Sequence, residues 1–335
     1  MATRVAINGF GRIGRGFLRA ALDDASVEIV AINDLVPTAT NAHLLRHDST
    51  QGLLNVPVTV GESALHVGER TIKVFAERDP AALPWGDLDV DVVIESTGIF
   101  TSREAAGKHL TAGAKRVIIS APSGDADATF VMGVNEDTFD AATDLVISNA
   151  SCTTNCFVPM VKVLDDAFGV EAGLMTTVHA YTNDQNLLDL AHKDLRRARA
   201  AAVNIVPTAT GAARATSLVL SSMKGKLDGT SLRVPIPVGS ITDFTAVLPT
   251  TTVEAVNEAF RAAASGALSG YLVYTDEPIV SSDIVGSPAS CTFDSLMTMV
   301  QPIDDAKCLV KVFGWYDNEW GYSNRLVDLA RYVAR

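Results

Sequence analysis

The chain has 335 residues, a formal net charge of −12, 47% hydrophobic residues and four cysteines, and this length suits two domains rather than one core. The acidic balance argues against nucleic acid or an anionic membrane as a general partner, and no apolar run approaches the roughly 18 residues that cross a bilayer. With no leader segment apparent and too few cysteines for a disulfide framework, we expect a cytoplasmic globular protein with reduced thiols.

The first part of the chain predicts strands that alternate with helices. Residues 4–34 read as a strand, a glycine turn, a helix and a second strand. Further apolar strands at 91–97 and 115–120 flank a helical stretch at 102–113. Short apolar strands separated by helices indicate a parallel sheet covered on both faces, and the alternating runs in 55–75 predict an antiparallel insertion. The fold class is therefore α/β, with a Rossmann-type doubly wound parallel sheet.

After residue 150 the pattern changes to a helix followed by mainly β-rich runs. We predict an α+β domain with a mostly antiparallel sheet over 151–318, which would be the catalytic domain, after a nucleotide-binding domain over 1–150. Residues 319–335 predict an amphipathic helix that packs back on the first domain. Its apolar positions are Leu326, Leu329, Ala330 and Val333.

The glycine turn has the spacing of a dinucleotide-binding fingerprint. Gly9, Gly11 and Gly14 follow a strand and begin a helix, and Asp34 ends the next strand. The glycines allow a tight turn and a close approach of the backbone to a pyrophosphate. The alternative interpretation is a glycine turn with a structural role only. Asp34 would bind ribose hydroxyls and repel a 2′-phosphate, which favours NAD over NADP. Further candidates for this cofactor site are the helix-end amides of Arg12 and Ile13 and the strand-end residues Arg78 and Ser120.

Cys152 lies in "SNASCTTNC", after an apolar strand and at the start of a helix. A helix N-terminus favours the thiolate and is expected to lower the cysteine pKa, so we interpret Cys152 as a nucleophile rather than a core filler or half of a disulfide. Cys156, one turn later and followed by an apolar stretch, is predicted to be structural. No nearby His or Cys completes a zinc site, so no metal is expected.

His179, at the end of a strand-like run, is the favoured base for this thiol. The alternative is a structural histidine with no catalytic role. The other histidines fit less well: His66 lies in the peripheral insertion, and His43 and His47 lack the glutamate of a zincin. His109 and His192 are interpreted as surface residues.

The chain carries, in this order, the motifs "INGFGRIGR", "SNASCTTNC", "TTVHAYTNDQ", "HKDLRRARAAA", "TATGAARA", "RVPIPVGS" and "WYDNEWGYSNR". Taken together, these motifs and their order resemble the phosphorylating glyceraldehyde-3-phosphate dehydrogenase family over nearly the whole chain.

The resemblance implies a reaction and roles for residues. Cys152 would add to the aldehyde of glyceraldehyde 3-phosphate, a hydride would pass to NAD, and His179 would take the proton as a thioester forms. Inorganic phosphate would then release 1,3-bisphosphoglycerate. Asn318 would hold the nicotinamide carboxamide. Thr182 and Arg233 would bind the substrate phosphate. The attacking phosphate would be bound by Ser151, Thr153, Arg197, Thr210 and Gly211.

The segment from Asn183 to Asn204 resembles the loop that contacts a neighbouring subunit's cofactor in the family's homotetramers. Ala191 stands where NAD-specific members usually carry proline, which weakens the expected exclusion of NADP. Two alternatives stay open: an erythrose-4-phosphate dehydrogenase with the same chemistry, and a catalytically silent NAD-binding protein.

Overall fold

The computed structural model describes residues 2–335, which fold into two compact units. The first unit contains residues 2–132, 136–151 and 323–335, and the second contains 133–135 and 152–322. None of the helices in this described part of the chain is long and apolar enough to span a bilayer.

The first unit is built on an extended sheet with short helices. Its strands are β1 Thr3–Asn8, β2 Val27–Asn33, β3 His47–Asp48, β4 Gly52–Leu53, β5 Val58–Val60, β6 Ala64–Val67, β7 Arg70–Phe75, β8 Val92–Glu95, β9 Arg116–Ile119, β10 Ala128–Thr129 and β11 Val146–Ser148. Its helices are α1 Arg12–Ala20, α2 Thr38–Arg46, α3 Arg103–Ala106 and α4 Lys108–Thr111.

The sheet order of the first unit is β10-β11-β9-β8-β1-β2-β7-β6-β5. The pairs from β10 to β7 are parallel, whereas β5, β6 and β7 pair antiparallel, which confirms the predicted insertion. Buried apolar runs such as Val5–Ile7 and Val92–Ile94 form the central strands because both faces of the sheet are covered. The strand order reverses between β1 and β8, which is where dinucleotides bind in doubly wound folds. The predicted fold class is confirmed.

The second unit has one main sheet with helices packed on it. Its strands are β12 Ala172–Ala180, β13 Val206–Ala209, β14 Leu227–Val234, β15 Ser240–Pro249, β16 Leu272–Thr275, β17 Cys291–Asp294, β18 Met299–Pro302 and β19 Lys307–Tyr316. Its helices are α5 Cys152–Phe168, α6 Ala212–Val219 and α7 Val253–Ser265. A last helix, α8, spans Trp320–Val333, and its residues from 323 onward belong to the first unit.

The sheet of the second unit has the order β13-β14-β12-β15-β19-β17-β16 and is mainly antiparallel, as expected, with parallel pairs at β12–β14 and β16–β17. The core lies between this sheet and α5 and α7. Phe157 packs edge-on against Phe244 at 4.8 Å between ring centroids, and Phe260 stacks on Phe293 at 3.8 Å. This packing fixes α5, and with it the position of the residue at its first turn.

One surface assignment is wrong. His109 is fully buried beneath the first unit's sheet, where it hydrogen-bonds Trp85 and Glu95. The short, polar-looking helices around it gave no sign of burial, because the burial comes from strands distant in sequence.

The glycine turn generates a stability prediction. A Cβ on Gly14 would lie 2.2 Å from the backbone oxygen of Gly9, so we expect Gly14→Ala to lower the free energy of unfolding by about 1–3 kcal/mol. Gly11→Ala is the matched control, because a Cβ there meets nothing within 4 Å and its φ is −73°. Urea unfolding followed by circular dichroism measures both variants. Equal unfolding midpoints would contradict the prediction.

Candidate active site

Cys152 is the first residue of α5, and the backbone directly before it has an unusual conformation. Two residues earlier, Ala150 adopts a positive φ of 54°, a conformation that non-glycine residues rarely take and that occurs often at functional sites. Cys152 itself is half-buried, whereas Cys156, one turn later, is fully buried in the core as predicted.

The second unit brings Cys152 and His179 together. The Cys152 Sγ atom lies 3.4 Å from His179 Nε2, within hydrogen-bonding reach of a thiol. Cys152 comes from the start of α5 and His179 from the end of β12, so the contact depends on how α5 packs on the sheet.

The other ring nitrogen of His179 has two neighbours. Nδ1 lies 2.7 Å from the backbone oxygen of Ala180 and 2.6 Å from Nη1 of Arg233. A carbonyl only accepts and a guanidinium only donates, so Nδ1 can donate to Ala180 or accept from Arg233 but cannot do both. In the tautomer that donates to Ala180, the Nε2 lone pair faces the sulfur. The β12–β14 register aligns His179 with Arg233, which places the guanidinium there.

Burial and the positive charge of Arg233 lower the pKa of His179 to about 3. The imidazole is therefore neutral near pH 7 and can accept a proton. For Cys152 the expected lowering is wrong: burial raises the pKa of the thiol, and the charge of Arg233 and hydrogen bonds from Thr153 only partly oppose this rise. The resting pair is a thiol beside a neutral imidazole, because desolvation outweighs the effect of the helix N-terminus.

Tyr316 supports this pair and was not singled out from the sequence. Its hydroxyl lies 2.9 Å from Thr153 Oγ1 and 2.8 Å from Thr177 Oγ1, and its ring meets the His179 ring edge-on at 5.9 Å. Burial raises the Tyr316 pKa, so the phenol stays protonated. The only signal for this residue was its place before "DNEW".

Arg197, expected to bind the attacking phosphate, already has protein partners. Its Nε donates to Thr208 Oγ1 at 2.9 Å, and its guanidinium also pairs with Asp184 and, at 3.6 Å, with Asp194. Thr210 Oγ1 accepts from the amide of Ala212 at the start of α6. An anion at Arg197 would have to compete with these two carboxylates.

Arg233 Nε, in contrast, is buried without a hydrogen-bond partner within residues 2–335. Burial lowers the pKa of Arg233, and the charges of Cys152 and Arg197 act on it in opposite directions, so both residues lie near its guanidinium. Thr182, the other residue expected at the substrate phosphate, is half-buried just after β12. A buried donor without a partner fits an incoming anion.

Asn318 is buried and oriented by β15. Its Oδ1 accepts from the amide of Gly239 at 3.3 Å and from Ser240 Oγ at 2.9 Å, and Ser240 Oγ in turn accepts from the amide of Ala180. With its oxygen held in this way, the NH₂ group is the donating end of the Asn318 amide.

The first unit has a crevice of about 350 Å³ at the carboxyl ends of its strands. Asp34 accepts there from the amide of Phe10 at 2.6 Å, which ties the carboxylate to the glycine turn. The predicted residues Gly9, Gly11, Asp34 and Arg78 line this crevice, together with the unpredicted Asn8, Asn33, Thr97 and Phe100. Sequence reasoning could have found Asn8 and Asn33 because they end β1 and β2.

The open space beyond the Cα of Gly11 and the fixed carboxylate of Asp34 suit a dinucleotide. Arg12 and Ile13 begin α1 directly after Gly11, and the Arg12 guanidinium donates to both Asp48 oxygens at 3.1 Å. Ser120 follows β9 and is not among the crevice residues.

Two other features bear on the location of the site. A larger crevice of about 850 Å³ in the second unit is lined by Gly173, Leu174, Arg214, Lys226 and Leu309 but contains neither Cys152 nor His179. Within residues 2–335, no group of three or more His, Cys, Asp or Glu side chains could hold a metal ion.

Comparisons with known proteins agree over the whole chain. The family model "Glyceraldehyde 3-phosphate dehydrogenase, NAD binding domain" matches residues 3–103, and "Glyceraldehyde 3-phosphate dehydrogenase, C-terminal domain" matches residues 151–318. Glyceraldehyde-3-phosphate dehydrogenase 2 of Streptomyces avermitilis is 62% identical over 335 residues, 99% of each chain. The Streptomyces coelicolor glyceraldehyde-3-phosphate dehydrogenase is 61% identical over 99% of each chain. Glyceraldehyde-3-phosphate dehydrogenase 1 of Bacillus subtilis is 58% identical over 100% of this chain and 99% of its own.

The site geometry predicts an electrostatic role for Arg233. Because its charge stabilises the Cys152 thiolate, we expect Arg233→Gln to move the pH profile of Cys152 alkylation upward by about 1–2 pH units. The rate of iodoacetamide labelling between about pH 6 and 10 measures the shift. Arg233→Lys keeps the charge and is the control, with a smaller expected shift. Coinciding profiles for Arg233→Gln and the unsubstituted chain would refute the role.

Proposed function

Because the chain belongs to the glyceraldehyde-3-phosphate dehydrogenase family, we propose that Cys152 and His179 perform the chemistry of that family. NAD-dependent oxidation of glyceraldehyde 3-phosphate is the activity of this chain, with NAD as cofactor and inorganic phosphate as second substrate. The observation that carries the assignment of the two residues is the 3.4 Å distance from Cys152 Sγ to His179 Nε2.

In the proposed reaction, Cys152 transfers its proton to His179 Nε2 as Sγ bonds to the aldehyde carbon. Since the thiol pKa is raised and that of His179 is about 3, this transfer is unfavourable in the resting pair and is best coupled to carbon–sulfur bond formation. The imidazolium then protonates the oxyanion, which gives a thiohemiacetal.

Bound NAD supplies the acceptor for the hydride that leaves the thiohemiacetal carbon. His179 takes the hydroxyl proton in the same step, and a thioester with Cys152 remains. Inorganic phosphate attacks the thioester carbon, the carbon–sulfur bond breaks, and 1,3-bisphosphoglycerate is released. The Cys152 thiolate then takes back the proton held by His179, which restores the thiol and the neutral imidazole.

Two anion sites complete the proposal. The buried Nε of Arg233, which has no hydrogen-bond partner among residues 2–335, supports a substrate-phosphate site that Arg233 would share with Thr182. For the attacking phosphate we propose Arg197, whose guanidinium would be shared between the anion and Asp184. The hydroxyls and amides around it would come from Ser151, Thr153, Thr210 and Gly211.

We propose that the crevice residues hold NAD through complementary groups. Asp34 would accept from the ribose hydroxyls, and the glycine turn would bind the pyrophosphate. The NH₂ group of Asn318, whose oxygen is already occupied, would bind the nicotinamide carboxamide. The remaining contacts would come from Gly9, Gly11, Arg12, Ile13, Gly14, Arg78 and Ser120.

The chain is also proposed to work as a cytoplasmic homotetramer, without a nucleic acid or membrane partner. Leu187, Leu188 and Leu195 are 77%, 74% and 81% exposed on the loop between β12 and β13, which supports a subunit interface there. The NAD-binding domain would comprise 1–150 and 319–335, and the catalytic domain 151–318.

Removal of the nucleophile tests the assignment of Cys152. We expect Cys152→Ser to lower kcat by about 10³-fold or more, because a hydroxyl is a far weaker nucleophile beside a neutral imidazole. Steady-state NADH formation measures the loss, and calorimetry with NAD shows whether the cofactor still binds. Cys308→Ser, a buried cysteine far along the chain, is the control and should keep its turnover. Near-normal turnover in Cys152→Ser would refute the nucleophile.

The substrate assignment is tested by exchanging the aldehyde and omitting phosphate. We expect faster turnover with glyceraldehyde 3-phosphate than with erythrose 4-phosphate, and a strong dependence on inorganic phosphate, since the proposed Arg197 site serves the attacking anion. Initial rates with each aldehyde, with and without phosphate, measure both. Rates indifferent to phosphate would overturn the phosphorylating step, and a preference for erythrose 4-phosphate would replace the substrate.

A further inference from the structure

His109 lies in a buried hydrogen-bonded chain of the first unit. Trp85 Nε1 is 2.9 Å from His109 Nδ1, and His109 Nε2 is 3.0 Å from Glu95 Oε2. An indole N–H can only donate, so Nδ1 must accept. The ring proton is therefore on Nε2 and is donated to Glu95, and Trp85 fixes this tautomer of His109.

Glu95 is only 2% exposed, yet its carboxylate is fully satisfied by neutral donors. Oε2 accepts from His109 Nε2 and, at 2.6 Å, from Asn8 Nδ2. Oε1 accepts from the amide of Thr97 at 2.9 Å and from its hydroxyl. A buried carboxylate that accepts several such bonds is held rigidly, because each broken bond would leave a buried charge undersolvated.

Two of these donors belong to the walls of the cofactor crevice. Asn8 ends β1 directly before the glycine turn, and Thr97 follows β8 on the opposite wall. A Cβ on Gly9 would lie 2.6 Å from the amide nitrogen of Thr97, so the glycine turn packs directly against the backbone that follows β8. Asn8 Oδ1 also accepts from Asn33 Nδ2 at 2.7 Å, which extends the chain to the end of β2. Glu95 is therefore connected, directly or through Asn8, to side chains at the ends of β1, β2 and β8.

We propose that Trp85, His109 and Glu95 are positioning residues for NAD. They do not line the crevice, but they hold Asn8 and Thr97 at the spacing that the dinucleotide requires. The proposal rests on NAD as the cofactor of this chain and is independent of the roles of Cys152 and His179.

The test separates hydrogen bonding from packing at His109. His109→Leu fills most of the volume but can neither donate to Glu95 nor accept from Trp85, whereas His109→Gln can do both. We expect His109→Leu to raise the Kd and the KM for NAD about tenfold, in the range of supporting residues around binding sites. kcat at saturating NAD should stay within about twofold, and His109→Gln should bind NAD close to the unsubstituted chain.

Glu95→Gln provides a second, nearly isosteric variant. Both Glu95 oxygens accept from donors, so an NH₂ group placed at either position would face another donor, and NAD binding should weaken about as much as in His109→Leu. This variant keeps the proposal testable where His109→Leu does not fold. His66→Leu, on β6 of the antiparallel insertion, is the matched histidine control and should leave the Kd for NAD unchanged.

Calorimetry with NAD measures the Kd for each full-length variant without turnover, and iodoacetamide labelling of Cys152 reports the catalytic pair separately. Unchanged NAD affinity in folded His109→Leu or Glu95→Gln would overturn the proposal. An equal loss in His109→Leu and His109→Gln would also overturn it, because packing rather than the hydrogen-bonded chain would then be responsible. Failure of the proposed chemistry would instead appear as lost turnover with normal NAD binding.

Discussion

The proposed chemistry depends on one contact, the 3.4 Å approach of Cys152 Sγ to His179 Nε2. Neither residue holds the other in place. The sulfur is positioned by α5, whose aromatic contact between Phe157 and Phe244 fixes it on the sheet, and the imidazole by β12. Tyr316 connects the two elements, because its hydroxyl bonds to Thr153 on α5 and to a threonine of β12. A small shift of the helix would therefore separate the reacting groups.

The sequence predicted those site residues that have a recognisable local sequence pattern. It did not predict the residues that are brought to the site by distant strands. Cys152 stood out because it follows a recognisable strand, and His179 because it lies at the end of one. Both have small polar neighbours, and the glycine turn has a fixed spacing. The contact of Arg233 with His179 was not predicted, since it arises from the register of β12 with β14, which pairs two residues 54 positions apart. Tyr316 was missed for the same reason. The parallel sheet was predicted from its short apolar strands, whereas the order of the strands was known only from the structure.

The two wrong expectations share a physical cause. The pKa of Cys152 and the surface position of His109 were both predicted from neighbours along the chain, and in both cases burial by distant elements decided the outcome. A helix N-terminus contributes at most about 2 kcal/mol, whereas desolvation of a buried charged group costs more. Burial depends on the fold of the whole unit, so pKa shifts and exposure that are predicted from sequence neighbours are least reliable for buried residues.

Arg233 places a buried positive charge beside the Cys152–His179 pair, in a chain whose net charge is −12. The charge of its guanidinium opposes the rise in the pKa of the Cys152 thiol and lowers the pKa of the imidazole, so it favours the proposed nucleophile but weakens the proposed base. An anion that neutralised Arg233 would remove both effects, raising the pKa of His179 and making it a stronger base. The charge of a phosphorylated substrate would thus act on the proton acceptor as well as on binding. A neutral residue at position 233 would lose this link between the substrate's charge and the basicity of His179.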